Sequence, residues 1–313
     1  MFRDGWIILN KVPVHVSTWG CWIEDSIPGD SILLFITGNP GILVFYNQFL
    51  SSLQPMIDMP VWVLSHGGFE SPPYELEVPN IKNNPELYSV AGQTKQKSEF
   101  IEKYIPESKK IYIVGHSVGG KISVELLKDE NIAKRIEQAH LIFPVLEHIS
   151  ESPNGKLYTS VVQHIVPFLV FLSWMFSMLP KTFQSYLIGL FLRWNKHFTC
   201  IKEDCSEGIM NLFTSQSTST ALHLALDEMA TIKDLDNEVY EKYHSKIYCY
   251  YAQNDRWAPL DQYHHLMKEH PKISGTILEE KFTHAFVLTT AIDMAQLLSK
   301  IIRPSSSKSE AVS

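Results

Sequence analysis

Residues 111–128 read IYIVGHSVGGKISVELLK, and this stretch decides the fold. Ile111 to Val114 has the composition of a strand buried on both faces, Gly115-His116-Ser117-Val118-Gly119 makes a turn, and Lys121 to Lys128 has helical spacing from a start near Gly119 or Gly120. A serine hydroxyl is a poor nucleophile until a base takes its proton, so it has to protrude where an imidazole can reach it. A sharp strand-to-helix turn does this, with a strained backbone at Ser117 and minimal side chains at Gly115 and Gly119. The pattern is therefore read as a nucleophile elbow rather than an ordinary turn. The helix start also offers unpaired N–H groups and the positive end of the helix dipole, and Val118 N–H is the first candidate donor to a developing oxyanion.

Working outward, five more short apolar runs are bounded by turn residues: Ile32 to Thr37, Val61 to Ser65, Ala139 to Phe143, Ile247 to Ala252 and Thr276 to Glu279. Between several of them lie stretches of helical spacing, such as Tyr88 to Tyr104 and Leu260 to Glu269. Strands alternating with helices predict an α/β fold with a mostly parallel central sheet flanked by helices. Trp6 to Trp19 reads as one or two extra strands at the edge. The loop Thr37-Gly38-Asn39-Pro40-Gly41 leaves the first of these runs, and its glycines permit close backbone approach to a ligand. Asn39 N–H is the second oxyanion candidate, with Gly38 as the alternative, and an ordinary turn is the competing reading.

A base should follow the last strand and an acid an earlier one, in the order Ser, acid, His. Among 13 histidines, His284 in Phe282-Thr283-His284-Ala285-Phe286 sits just past the last run and before an apolar helix. Asp255 directly follows Ile247 to Ala252 and precedes His284 by 29 residues, with Trp257 beside it. Glu147 is the rival acid, and Asp261 reads as an exposed helix residue. His264, His265 and His270 read as solvated, His116 flanks the nucleophile, and His66 is a candidate for lining the cleft. Such a set would attack an ester carbonyl with no cofactor. A metal site built on His197, Cys200 and Cys205 has poor spacing and lacks a second pair.

The chain of 313 residues is 45% hydrophobic, 19% charged and 12% aromatic, enough for a substantial core. Lys plus Arg number 27 against 34 for Asp plus Glu, a net charge of -7, and no basic stripe points to nucleic acid. Cys21, Cys200, Cys205 and Cys249 form no framework, which suggests a reducing compartment, and Met1 to Val16 lacks the pattern of a signal peptide. Leu157 to Pro180 carries no charged side chain over 24 residues, and after Lys181 a second uncharged run extends to Leu192. Val161 to Leu179 approaches bilayer-spanning length, although Gln163, His164 and Pro167 weaken it, and Phe183 to Trp194 is too short to cross. A helical hairpin turning at Pro180-Lys181 is expected, with Phe171, Trp174 and Phe176 as lipid contacts and Trp194, Tyr186, Arg193 and Lys196 in the interfacial zone. If ten large apolar side chains left water at roughly 1.5 to 3 kcal/mol each, the gross gain would be about 15 to 30 kcal/mol before ordering costs. The alternative is a cap whose apolar helices roof the active site of a soluble esterase. The expected organisation is a first half-core over 1–156, an apolar insertion over 157–196, a second half-core over 197–303 and a disordered tail over 304–313.

Several motifs together resemble the lipid droplet-associated hydrolase family, within the α/β-hydrolase fold, over roughly residues 30 to 300. They are TGNPG at 37 to 41, VWVLSHGG at 61 to 68, GHSVGG at 115 to 120, FPVLEHISESPNGK at 143 to 156, YYAQNDRWAP at 250 to 259 and THAF at 283 to 286. The resemblance implies a triad on Ser117, Asp255 and His284, and an anchor in the central apolar segment. It also implies residence on the phospholipid monolayer of lipid droplets and on the endoplasmic reticulum membrane, at the cytosolic face. The implied substrates are sterol esters or other neutral-lipid esters, and a droplet-organising protein with little catalysis is the alternative. Thr37 and the pair Phe282-Thr283 depart from the family's usual Pro and Ile-Pro, and both departures leave every reacting side chain in place.

Overall fold

The computed structural model describes residues 1–195 and 198–302. Eight strands form one sheet: β1 (Phe2–Leu9), β2 (Val12–Trp19), β3 (Ser31–Ile36), β4 (Val61–Leu64), β5 (Lys110–His116), β6 (Ile136–Ile142), β7 (Ile247–Tyr251) and β8 (Ser274–Ile277), in the order β1-β2-β4-β3-β5-β6-β7-β8. The pairs from β4 to β8 are parallel, and β1 and β2 add an antiparallel hairpin at one edge. The hairpin turns at Asn10 and Lys11 with φ of 46° and 68°, the left-handed pair that matches the twist of the flanking strands.

Helices α1 (Asn47–Leu53), α2 (Val90–Tyr104), α3 (Val118–Leu126) and α4 (Glu130–Ala133) belong to the first half of the chain. Side chains alternate across β3 and β5. Ile32, Leu34, Ile111 and Ile113 join one core with Phe100 of α2 and Ile122 of α3. Leu33, Phe35, Tyr112 and Val114 join the opposite core with Phe49 of α1 and, from the end of the chain, Met294. β6 begins at Ile136, before its apolar run, and its polar Glu137 and Gln138 are only half-buried. Burial on both faces fails at β8, whose residues are largely exposed, because it is the outermost strand.

Between β6 and β7 run α5 (Pro153–Ser160), α6 (Val166–Ser177), α7 (Lys181–Trp194), α8 (Lys202–Leu212), α9 (Ser215–Thr231) and α10 (Asn237–Tyr243). The first uncharged stretch is interrupted at Val161, which leaves helical geometry, and by a short 3-10 turn over Val162–Ile165. α6 packs on α9 and α7 on α8, so the two apolar helices follow one another around a turn capped by Pro180 and are each laid on a different partner. Their orientation is inside-out. Ser173 is the buried residue of α6, and Gln184 and Ile188 are those of α7. Phe168, Phe171, Leu172, Trp174, Met175, Phe183, Tyr186, Phe191 and Trp194 are exposed, Trp194 to 89%. Phe176 departs from the expected lipid contacts: it is half-buried and its ring packs against Phe213.

α11 (Leu260–Glu269), α12 (Phe286–Thr289) and α13 (Ala291–Ser299) complete the fold. Two sequence expectations need correction. Cys200 and Cys205 are joined in a disulfide, their Cα atoms brought to 6.4 Å as the chain turns into α8, a proximity that spacing alone does not reveal. His270 is buried rather than solvated, with its Nε2 2.7 Å from Asn237 Oδ1 and its ring against Tyr240. Lys196, His197 and the tail over 304–313 lie outside the described residues, as therefore does one ligand of the metal alternative.

Candidate active site

The turn between β5 and α3 places Ser117 at φ 56° and ψ -120°, a left-handed conformation for a residue with a side chain. A Cβ on Gly115 would collide with the Gly119 carbonyl, and one on Gly119 would collide with the carbonyls of Ile36 and Thr37. Strand, nucleophile and helix therefore pack this closely only with glycine at both positions.

Ser117, Asp255 and His284 are brought together from three loops at the carboxyl ends of β5, β7 and β8. Ser117 Oγ lies 2.9 Å from His284 Nε2, and His284 Nδ1 lies 2.7 Å from Asp255 Oδ2. An ionised carboxylate only accepts, so Nδ1 carries the proton and bare Nε2 accepts from the serine hydroxyl. The second carboxylate oxygen accepts the backbone N–H groups of Trp257 at 2.8 Å and Ala258 at 3.0 Å, which fixes the acid before it meets the ring. This backbone bond is Trp257's connection to the site, and its half-buried side chain packs on the core. Asp255's side chain is fully shielded from solvent, and His284's is 19% exposed. Glu147, the rival acid, is buried and engaged elsewhere, with His265 Nδ1 2.7 Å from its carboxylate.

Val118 N–H and Asn39 N–H donate to no acceptor among the described residues. The Gly38 N–H is spent on the Tyr46 hydroxyl at 2.9 Å, which removes Gly38 as the alternative oxyanion donor. Gly38 instead lies against the nucleophile: a Cβ there would meet His116 Nδ1 at 2.8 Å and Ser117 Cβ at 3.1 Å. His116 is buried under the triad, with Nδ1 2.8 Å from Tyr46 Oη and Nε2 2.9 Å from the His284 carbonyl oxygen. Burial pushes its imidazole down to about 3, so the ring is neutral.

His66 does not line an open cleft. It is fully buried behind the Thr37–Gly41 loop, where Lys97 Nζ reaches its Nδ1 at 3.0 Å, the Ser65 carbonyl at 2.9 Å and Gln93 Oε1 at 3.4 Å. Burial pulls the Lys97 ammonium down to about 7, and burial and that neighbouring charge together hold His66 well below the usual imidazole range.

The chain between β6 and β7 touches the loops of Asp255 and His284 and the loop after β3. Asn154 and Arg256 exchange two hydrogen bonds, both at 3.0 Å, beside the acid. Thr199 N–H donates to Leu288 O at 2.8 Å just past the base. Asn39 Nδ2 donates at 3.0 Å to both Ala221 O and Glu228 Oε1 on α9. Tyr46 and Glu228 were not singled out from the sequence. Tyr46 sits inside an apolar run, and Glu228 shares a helix with other acidic and polar residues, so neither has a local signal.

A model of the family described as lipid-droplet associated hydrolase matches residues 29–287. A lipid droplet-associated hydrolase of Drosophila melanogaster is 34% identical over 306 residues, covering 96% of this chain and 98% of its own. One from Gallus gallus is 28% identical over 300 residues, covering 92% and 91%. Among solved structures, a laboratory-evolved variant of a potato epoxide hydrolase superposes with a TM-score of 0.66 at 10% identity, covering 96% of this chain and 99% of that one. The architecture is that of the α/β-hydrolases.

Proposed function

The chain belongs to the lipid-droplet associated hydrolase family and is a hydrolase, and from that premise we propose that it is a serine esterase of neutral-lipid esters working at a lipid-droplet surface. The observation that carries the reaction class is the alignment of Ser117 Oγ, His284 and Asp255 through contacts of 2.9 and 2.7 Å. In this reading His284 Nε2 takes the Ser117 proton as Oγ attacks the carbonyl carbon of a sterol ester or acylglycerol. The carbonyl electron pair moves onto oxygen, facing the Val118 and Asn39 N–H groups. Collapse expels the alcohol with the proton from His284, and water, deprotonated by the same nitrogen, then releases the fatty acid and restores Ser117. Asp255 holds the ring and stabilises its cation throughout.

The outward-facing apolar side chains of α6 and α7 support the lipid surface as the place of work. A roof over a site would bury such side chains, whereas here the inward-facing residues are the polar Ser173 and Gln184 with one apolar residue, Ile188. Each large apolar side chain withdrawn from water adds about 1.5 to 3 kcal/mol, so a few of them suffice for reversible adsorption. Pro153–Ser177 is also, among the described residues, long and apolar enough by composition to cross a membrane. Adsorption to a phospholipid monolayer over a neutral-lipid core needs no crossing, and the cytosolic face of the endoplasmic reticulum offers the same chemistry.

The test is hydrolysis by purified protein and its Ser117→Ala form of sterol ester, triacylglycerol and short p-nitrophenyl esters, the lipids presented as phospholipid-coated emulsions. The proposal expects fatty acid release from one neutral-lipid class that Ser117→Ala abolishes. Equal droplet clustering by both forms with no ester cleavage would favour the droplet-organising alternative instead.

A further inference from the structure

We propose that Glu228 is a positioning residue for the oxyanion loop: from α9 it holds the Asn39 side chain so that the Asn39 backbone N–H is presented to the substrate carbonyl oxygen. This inference rests on the esterase reading and extends it to a residue outside the triad.

A primary amide has two N–H bonds, and those of Asn39 are matched by two acceptors, Ala221 O and Glu228 Oε1, each at 3.0 Å. Ala221 and Glu228 are seven residues apart on α9, two turns along one helix face, so the loop is clamped to a rigid element rather than to another loop. The backbone N–H of the same residue is left unpaired among the described residues, which is the condition for donating to a ligand. The side chain thus supplies the attachment and the main chain the free donor.

The choice of residue fits this role. Glu228 is 4% exposed and has no cationic partner among the described residues, an expensive setting for a carboxylate. Burial pushes its carboxyl up to about 8, so near neutrality it is mainly the uncharged acid, which adds no negative charge beside a developing oxyanion. Its neighbour Asp227 serves differently: its carboxylate accepts Val90 N–H at 2.7 Å, at the start of α2. α9 is also the helix on which lipid-facing α6 rests, through Thr218 Oγ1 and the buried Ser173 Oγ at 2.8 Å. The oxyanion loop is consequently anchored to the part of the molecule that would meet lipid.

The experiment measures kcat and KM for a soluble p-nitrophenyl ester with the full chain, its Glu228→Leu, Glu228→Gln and Asn39→Ala forms and the Asn39→Ala/Glu228→Leu double variant. Losing alignment of one donor, rather than the donor itself, should lower kcat by about tenfold to a hundredfold in Glu228→Leu with little change in KM. Glu228→Gln keeps the accepting oxygen and should stay within about threefold of wild type. Asn39→Ala, which also gives up the bond to Ala221 O, should fall at least as far as Glu228→Leu, and the double variant no further than Asn39→Ala, because the Glu228 contact is already lost with the Asn39 side chain. A folded Glu228→Leu with wild-type kcat overturns the proposal, as does a Glu228→Gln form no better than Glu228→Leu. If Glu228→Leu does not fold, Asn39→Ala alone decides: wild-type kcat overturns the role. Wild-type hydrolysis no greater than that of Ser117→Ala would instead overturn the esterase reading itself, and the positioning role with it.

Discussion

His116 Nε2 lies 2.9 Å from the backbone carbonyl oxygen of His284, so the residue before Ser117 holds the peptide of His284. A carbonyl only accepts, which puts the proton on Nε2 and leaves Nδ1 bare. The Tyr46 hydroxyl must then donate to Nδ1, and its oxygen accepts from Gly38 N–H. Three hydrogen bonds therefore link the oxyanion loop to the histidine loop beneath Ser117.

Removing the hydroxyl in Tyr46→Phe leaves a buried N–H and a buried ring nitrogen without partners. We expect a loss of about 1 to 3 kcal/mol in urea unfolding and a lower kcat on a short ester. Unchanged stability and kcat would show that the chain of bonds holds nothing in place.

The two glycines Gly119 and Gly189 should behave oppositely. Gly119→Ala drives a methyl into the carbonyls of Ile36 and Thr37 and should cost about 1 to 3 kcal/mol or more. On α7, a Cβ at Gly189 meets open space, and Gly189→Ala should gain about 0.5 to 1 kcal/mol from helix propensity. Thermal unfolding of both variants checks the pair.

Two buried histidines contribute to the loss of stability in acid. Burial pushes both His116 and His140 down to about 3, from the usual 6.5. Through these two rings the unfolded chain binds more protons than the folded one between those values, so their contribution to stability is full above pH 6.5 and is lost as pH falls towards 3. Each ring contributes a limiting slope of about 1.4 kcal/mol per pH unit. His140 is held by Tyr250 Oη and Gln138 Oε1, both at 2.9 Å, away from the triad. Urea midpoints of His140→Gln between pH 7.5 and 5 should fall less steeply than those of wild type; parallel curves would count against the buried neutral ring.

The lipid surface can be tested apart from the chemistry. Phe171→Ser/Trp174→Ser removes two outward-facing, mutually stacked rings from α6. Flotation with phospholipid-coated triolein emulsions should fall at least tenfold, given about 1.5 to 3 kcal/mol per ring, whereas hydrolysis of a dissolved short ester should fall far less. Undiminished flotation would place the contact elsewhere.

The sheet and the three residues that the fold brings together, Ser117, Asp255 and His284, were readable because each has a local signature. Ser117 sits between required glycines, and Asp255 and His284 each follow a strand whose composition marks its end. Direction was harder to read. α6 is apolar on nearly every face, so periodicity could not show that Ser173 points inward and Phe171 outward. His66 stands next to two glycines like a cleft residue, yet its burial depends on Lys97 from α2, which no local pattern links to it. The pairing of Asn39 with Glu228 spans 189 positions and depends on how the fold brings α9 to the loop after β3.

The most direct measurement of the central claim is intact-protein and peptide mass spectrometry after exposure to a fluorophosphonate. The account predicts a single phosphonyl adduct on Ser117, absent in Ser117→Ala and strongly slowed in His284→Ala. An unmodified wild-type protein, or an adduct elsewhere that Ser117→Ala leaves undiminished, would contradict it.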